Sequence, residues 1–139
     1  MNRSKQKINV LFLCTHNSAR SQMAEGLLRD LKGDHYEAYS AGTEPGGIHP
    51  YTVKVMAEID MDIKDHRSKS IDEFIGKSMD IVVTACDHAK ETCPIFPGGS
   101  RKIHHTFEDP SALTGSEESI LAGFRRIRDK IRDWILDTF

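Results

Sequence analysis

The chain has 139 residues, of which 38% are hydrophobic and 29% are charged, and its formal net charge at pH 7 is -2. These values are typical of a single globular domain, here residues 1–139, and they exclude a strong general attraction for nucleic acid or for an acidic membrane surface. No apolar run approaches the roughly 20 residues of a membrane helix, so we expect a soluble, monomeric protein of the cytoplasm. Three cysteines without a recognisable export signal favour thiol chemistry over a structural disulfide framework.

Hydrophobic periodicity predicts strands and helices in alternation. In chain order it predicts a strand over 8–13, a helix over 18–32, a strand over 36–41, a helix over 50–59, a short helix over 71–77, strands over 81–84 and 102–107, and a final helix over 120–139. Gly33 is expected to cap the first helix, and Thr114 to Glu117 has the pattern of a capping box before the last one. The alternation predicts an α/β fold, a three-layer α/β/α arrangement around a mostly parallel four-stranded sheet.

The segment between the first strand and the first helix has the pattern of an oxyanion-binding loop. Cys14 and Arg20 are separated by five residues there. Backbone N–H groups at a helix N-terminus bind anions, an arginine fork can clamp two oxygens, and the positive field favours a thiolate at Cys14. The hydroxyl of Ser18 or Ser21 could donate to that sulfur, and the Asn17 amide could hold the turn. The predicted oxyanion-binding residues are Thr15, His16, Asn17, Ser18, Ala19 and Arg20. The alternative is a buried strand-end cysteine and a solvated arginine.

A nucleophilic cysteine of this kind also needs a proton donor for the leaving oxygen. Asp109 follows the last predicted strand, so it should lie at the same edge of the sheet as Cys14. It is therefore a candidate general acid. Because Pro110 follows it, an ordinary turn aspartate is the competing interpretation.

Two further thiols extend the chemistry that the loop can perform. Cys86 and Cys93 are separated by six residues. One disulfide supplies the two electrons that reduce As(V) to As(III), so the three thiols could attack, resolve and complete a reduction in turn. The alternatives are inert buried cysteines or a zinc site, although the spacing matches no standard zinc pattern. The zinc ligands in that case would be Cys86, His88 and Cys93 with His104 or His105.

These motifs together resemble the thioredoxin-coupled arsenate reductases, which share the low-molecular-weight protein tyrosine phosphatase fold. The resemblance rests on 14–26, Tyr39 to Gly42, Val82 to Cys86 with Cys93-Pro94, and Asp109-Pro110, and it spans essentially the whole chain. It implies that Cys14 is the nucleophile, Arg20 the oxyanion clamp, Ser21 the hydroxyl that stabilises the thiolate, and Asp109 the general acid. It also implies that Cys86 and Cys93 form a disulfide that thioredoxin reduces, with arsenate as substrate and no tightly bound cofactor or metal.

Three residues depart from the pattern of that family. Ala19 stands where many members have another cysteine, outside the three-thiol relay, so activity should survive. His16 replaces the usual glycine of the loop. Family members that bind potassium use residues matching Asn17, Glu25 and Ser40, plus an aspartate where this chain has Lys69. A lysine ammonium there would substitute for the ion, so we expect no potassium dependence.

Two rival functions remain open from the sequence. The first is a phosphotyrosine phosphatase, since fold and loop are common to both activities and a phosphatase needs only one cysteine. The second is a non-catalytic thiol sensor that binds arsenite or zinc, although such a sensor has no use for Arg20 and an anion-binding loop.

Overall fold

A computed structural model describes residues 6–85, 96–99 and 101–139. The strands are β1 (Ile8–Cys14), β2 (Tyr36–Gly42), β3 (Ile81–Thr84) and β4 (Arg101–His104), and the α-helices are α1 (Arg20–Lys32), α2 (Pro50–Ala57) and α3 (Glu117–Thr138). Short 3-10 turns occupy Ile71–Glu73 and Pro110–Ala112. None of the described helices is long and apolar enough to cross a membrane.

The four strands form one sheet in the order β2-β1-β3-β4, and every neighbouring pair is parallel. The predicted α/β fold is therefore confirmed, with an entirely parallel sheet. Cys14 lies opposite Gly42, and Leu13 lies opposite Thr84. The carboxyl ends of the central strands consequently meet at one edge, which is where ligands bind in sheets of this kind.

Both faces of the central strand are buried, as its continuous apolar sequence predicts. Val10 and Phe12 pack in a large core with residues of all three α-helices. Leu11 and Leu13 face the other side, where they pack with Ile71 and other apolar residues of the irregular segments. In the described part of the chain, this second face is thus covered by the 3-10 turn and its neighbours, and all three α-helices contribute to the core on the first face.

The predicted helix over 71–77 is wrong, because only a 3-10 turn forms there. Ile71 and Phe74 are buried at a spacing of three residues, which suits a 3-10 turn, and Gly76 has a φ of 91° that no continuing helix can adopt. The predicted strand over 102–107 ends at His104, because its partner β3 ends at Thr84.

The ends of the predicted helices also differ in detail. The capping residue of α3 is Ser116 rather than Thr114, and its hydroxyl accepts a hydrogen bond from Ser119 N. Gly115 lies between them with a φ of 116°, so Thr114 cannot share the helical path. Gly33 ends α1 with right-handed φ and ψ, not in the left-handed conformation of a glycine cap. The first helix begins at Arg20 and the second ends at Ala57.

Candidate active site

In the loop from Thr15 to Ala19, the backbone carbonyl groups point to one side and the backbone N–H groups point to the other. Each of these five carbonyl oxygens accepts a hydrogen bond of 2.9 to 3.2 Å from a group outside the loop. In loop order, the donors are Glu44 N, Gly46 N with Ser68 Oγ, Gln22 Nε2, His49 N with Thr52 Oγ1, and Met23 N. Because a trans peptide unit holds its N–H opposite its C=O, the N–H groups of 16–20 face the other side.

That other side is the N-terminal end of α1. Among the residues that the structure describes, no side chain caps this helix, whose N-cap residue is Ala19. The first N–H groups of an α-helix have no partner within the helix, and the helix dipole adds partial positive charge at this end. The loop and the helix end together form a cradle suited to a tetrahedral oxyanion.

Gly42 allows the loop to lie close against β2. A Cβ atom at this position would lie 2.5 Å from the carbonyl oxygen of Thr15 and 2.9 Å from the backbone nitrogen of Asn17. These are backbone atoms that cannot rotate away. The absence of a side chain at Gly42 is therefore a condition for the shape of the loop.

Cys14 is buried at the base of the loop, and its Sγ lies 2.8 Å from the hydroxyl oxygen of Ser21. Asn17 Nδ2 donates to the same hydroxyl oxygen at 2.7 Å. With one lone pair occupied by Asn17, the single hydroxyl proton of Ser21 is available for the sulfur. Ser21 is thus positioned to stabilise negative charge on the Cys14 sulfur by a donated hydrogen bond.

Asn17 holds the loop in shape from within. It is fully buried and has a φ of 50°, a left-handed conformation that asparagine tolerates better than most residues. Its amide also donates to Ser40 Oγ at 2.9 Å, and its Oδ1 accepts from Gln22 Nε2 and from Lys69 N, both at 2.8 Å. All four hydrogen-bonding positions of the amide are thus used.

Gln22 connects this network to a histidine. Its Oε1 lies 3.2 Å from Nδ1 of His66, and Arg29 Nη1 lies 3.4 Å from the other ring nitrogen. Burial lowers the pKa of His66. This shift favours the neutral ring, and a proton on Nδ1 would let it donate to Gln22 and accept from Arg29.

A buried carboxylate lies behind Asn17 with a cation beside it. Ser40 donates to Glu25 Oε1 at 2.5 Å, and the ammonium of Lys69 lies 3.5 Å from the same oxygen. Arg29 contacts the other oxygen of Glu25 at 2.7 Å. The chain thus supplies its own positive charge to the Glu25 carboxylate. Lys69 is the residue that was expected from the sequence to take the place of a potassium ion.

Arg20 spans the carboxyl edge of the sheet from the start of α1. It is 4% exposed, and its Nη1 lies 3.5 Å from the carbonyl oxygen of Ala85 and 3.4 Å from that of Phe107. Its Nη2 lies 3.7 Å from Asp109 Oδ1. The structure therefore brings Arg20 and Asp109 together beside the loop, where an oxyanion would meet both.

One oxygen of Asp109 is held in place, and the other remains for a proton. Its Oδ1 accepts from Ser111 N at 3.0 Å and from Ser111 Oγ at 2.9 Å. In the described part of the chain, Oδ2 has no hydrogen-bond partner, and the side chain is 29% exposed. The fixed carboxylate thus has one oxygen available for proton transfer at the cavity.

A cavity of about 40 Å³ lies between the loop and these residues. Its walls are Cys14, His16, Ser18, Ala19 and Arg20 on the loop side and His49, Asp109, Pro110, Ser111 and Phe124 on the other. The volume suits a small ligand, since a single water needs roughly 10–15 Å³. His49, Ser111 and Phe124 were not predicted as site residues from the sequence, although a histidine directly before Pro50 is a recognisable helix start.

The predicted Cys86 and Cys93 lie outside the described residues. The residue before Cys86 in the chain is Ala85, whose N–H donates to the carbonyl of Leu13 at 2.9 Å, next to Cys14. Within the described ranges, no three histidine, cysteine, aspartate or glutamate side chains are grouped to hold a metal ion.

Known proteins are similar to this chain in sequence and in fold. The model of the family described as low molecular weight phosphotyrosine protein phosphatase matches residues 9–137. The chain is 45% identical over 122 residues to an arsenate reductase of Halalkalibacterium halodurans, with 88% of each chain covered. It superposes with a TM-score of 0.79 on a solved arsenate reductase in the phosphate binding state, at 28% identity over 94% of this chain and 95% of that one. A thioredoxin-dependent arsenate reductase of Corynebacterium glutamicum gives a TM-score of 0.66 at 26% identity, over 98% of this chain and 65% of that one.

Proposed function

Since this chain belongs to the low molecular weight phosphotyrosine protein phosphatase family and, within it, to the arsenate reductases, we propose that it reduces arsenate to arsenite with three cysteines acting in turn. The observation that carries the proposal is the position of Cys14, hydrogen-bonded to Ser21 beneath a cradle of N–H groups and beside Arg20. This arrangement combines a nucleophile with a binding site for a tetrahedral anion.

In the first step, the Cys14 thiolate attacks arsenic and forms an S–As bond. One oxygen of arsenate leaves as water after it takes a proton from Asp109, whose Oδ2 is available for that role. Arg20 and the N–H groups of the loop bind the remaining oxygens and stabilise the charge that develops on them. Arsenic is still As(V) in this adduct.

In the second step, the Cys86 thiolate attacks the sulfur of Cys14. An S–S bond forms, the S–As bond breaks, and its electron pair reduces As(V) to As(III), which leaves as arsenite. Cys93 then attacks Cys86, so that Cys14 is released as a thiolate and the oxidation ends as a Cys86–Cys93 disulfide. The proximity of Ala85 to Arg20 and to Leu13 supports this assignment, because Cys86 is the next residue in the chain.

Thioredoxin is the proposed reductant of the final disulfide, and the cytoplasm the proposed compartment. The support is the similarity to a thioredoxin-dependent arsenate reductase and the two-electron balance, in which one dithiol of the reductant restores one disulfide. No tightly bound cofactor is required, because the three cysteines carry both electrons.

A phosphatase activity at the same cradle is the second candidate, and the description of the family model favours it. The variant in which serine replaces both Cys86 and Cys93 separates the two. It should lose arsenate turnover and keep hydrolysis of an aryl phosphate, since hydrolysis needs only the loop. Arg20→Lys is the matched control: it should impair both reactions, because lysine cannot provide the bidentate fork. Persistent arsenate turnover in the double serine variant would overturn the relay.

A further inference from the structure

His49 is attached to the oxyanion loop through its backbone. Its N–H donates to the carbonyl of Ser18 at 3.1 Å, and His49 lines the same cavity as Cys14 and Arg20. A ligand bound in the cradle therefore lies in a cavity that His49 helps to form. The proposed function above assigns this residue no role.

The hydrogen-bond pattern of the ring fixes its tautomer. His49 is the N-cap of α2, and its Nδ1 accepts a hydrogen bond from Tyr51 N at 3.0 Å. An accepting Nδ1 places the proton of the neutral ring on Nε2. Among the described residues, Nε2 has no hydrogen-bond partner of its own.

Neighbouring aromatic rings fix the orientation of the imidazole. The ring centroid of His49 lies 5.1 Å from that of Tyr51 and 4.9 Å from that of Phe124. Partial burial lowers the pKa of His49, which favours the neutral form of the ring. A neutral ring held by its cap and by two aromatic contacts loses little entropy when it binds a ligand.

We propose that His49 is a substrate-binding residue, which donates a hydrogen bond from Nε2–H to an oxygen of the bound tetrahedral oxyanion that the loop does not enclose. The inference deepens the proposed function and rests on its cradle. Because a donor is offered, the contact favours an unprotonated oxygen of the anion over a hydroxyl group that needs an acceptor. His49 would thus select the more highly charged form of the substrate.

Replacement of His49 by asparagine should remove the proposed contact with the anion and keep the helix cap. Asparagine is among the best N-cap residues, so His49→Asn should keep the bond to Tyr51 N while its shorter side chain removes the distal donor. His49→Ala removes both, and His35→Asn serves as the matched surface control. The probe is inorganic phosphate, titrated by calorimetry, with thermal unfolding measured on every variant.

We expect His49→Asn to bind phosphate about tenfold more weakly, the low end for a hydrogen bond to a charged group. Its unfolding midpoint should equal that of the wild type, whereas His49→Ala should bind equally weakly and unfold roughly 2–4 °C lower. In arsenate kinetics KM should rise with little change in kcat. Phosphate affinity in His49→Asn equal to wild type would overturn the proposal and leave His49 as a cap only.

A second readout keeps the test independent of stability. In 15N spectra of the imidazole, phosphate should shift the Nε2 resonance of His49 and leave Nδ1 as an acceptor; an unchanged Nε2 resonance at saturating phosphate would contradict the contact. Phosphate binding requires neither Cys86 nor Cys93. A failure of the three-thiol relay would therefore not affect this measurement, and a failure of His49 would not affect the relay.

Discussion

Asn17 should contribute more to stability than any other polar residue of the loop, and Asn17→Ala tests this. The substitution removes four side-chain hydrogen bonds of 2.7 to 2.9 Å inside a fully buried site. At about 1 kcal/mol each, their loss costs roughly 4 kcal/mol. Alanine in the left-handed region adds about 1 kcal/mol. The expected loss of about 5 kcal/mol is comparable to the whole stability of a marginal domain, roughly 5–15 kcal/mol.

Urea unfolding followed by circular dichroism measures this loss, provided that the slope m is unchanged. Asn17→Gly is the informative companion, because glycine tolerates a positive φ and should be less destabilising than alanine by about 1 kcal/mol. Asn9→Ala is the control, since Asn9 makes one side-chain donation, to Ser78 O at 3.3 Å, and should lose at most about 1 kcal/mol. A loss below about 1 kcal/mol in Asn17→Ala would refute the view that this network holds the loop.

Three further predictions concern the same network. Ser21→Ala should slow alkylation of Cys14 at neutral pH about tenfold, because the 2.8 Å contact to the sulfur is lost; an unchanged rate would show that the hydroxyl does not stabilise the thiolate. Gly42→Ala should abolish measurable phosphate binding, since its Cβ would lie 2.5 Å from a loop carbonyl; normal affinity would contradict a fixed loop. Potassium in place of sodium at constant ionic strength should leave turnover unchanged, because the Lys69 ammonium already lies 3.5 Å from Glu25. An increase in turnover would contradict the view that Lys69 takes the place of a potassium ion.

The sequence predicts best those features that depend on local pattern. The apolar run before Cys14 and the helical spacing over 18–32 are enough to place a strand and a helix joined by a loop, and the structure has the strand at 8–14 and the helix at 20–32. The helix over 71–77 failed because its apolar pattern covers only one turn and Gly76 adopts a positive φ. Local pattern alone does not distinguish a segment that forms an α-helix from one that forms only a 3-10 turn.

Long-range contacts are the part that local pattern could not supply. The backbone N–H of Lys69 donates to the Asn17 side chain, although the two residues are 52 positions apart in the sequence. Because the donor is a backbone group, the residue type at position 69 does not predict this contact. His49 faces the cavity because the loop that precedes α2 folds back over Ser18. Its position before Pro50 indicates a helix cap, but the sequence alone does not indicate that the capping ring lines the site.

The most direct test of the three-cysteine relay is NADPH consumption in the presence of thioredoxin, thioredoxin reductase and arsenate, with the wild type compared with Cys93→Ser. The account predicts arsenate-dependent consumption by the wild type and its loss in the variant, because Cys14 can then not be released for a second cycle. No consumption by the wild type, with aryl phosphate still hydrolysed, would contradict the relay and identify the cradle as the site of a phosphatase.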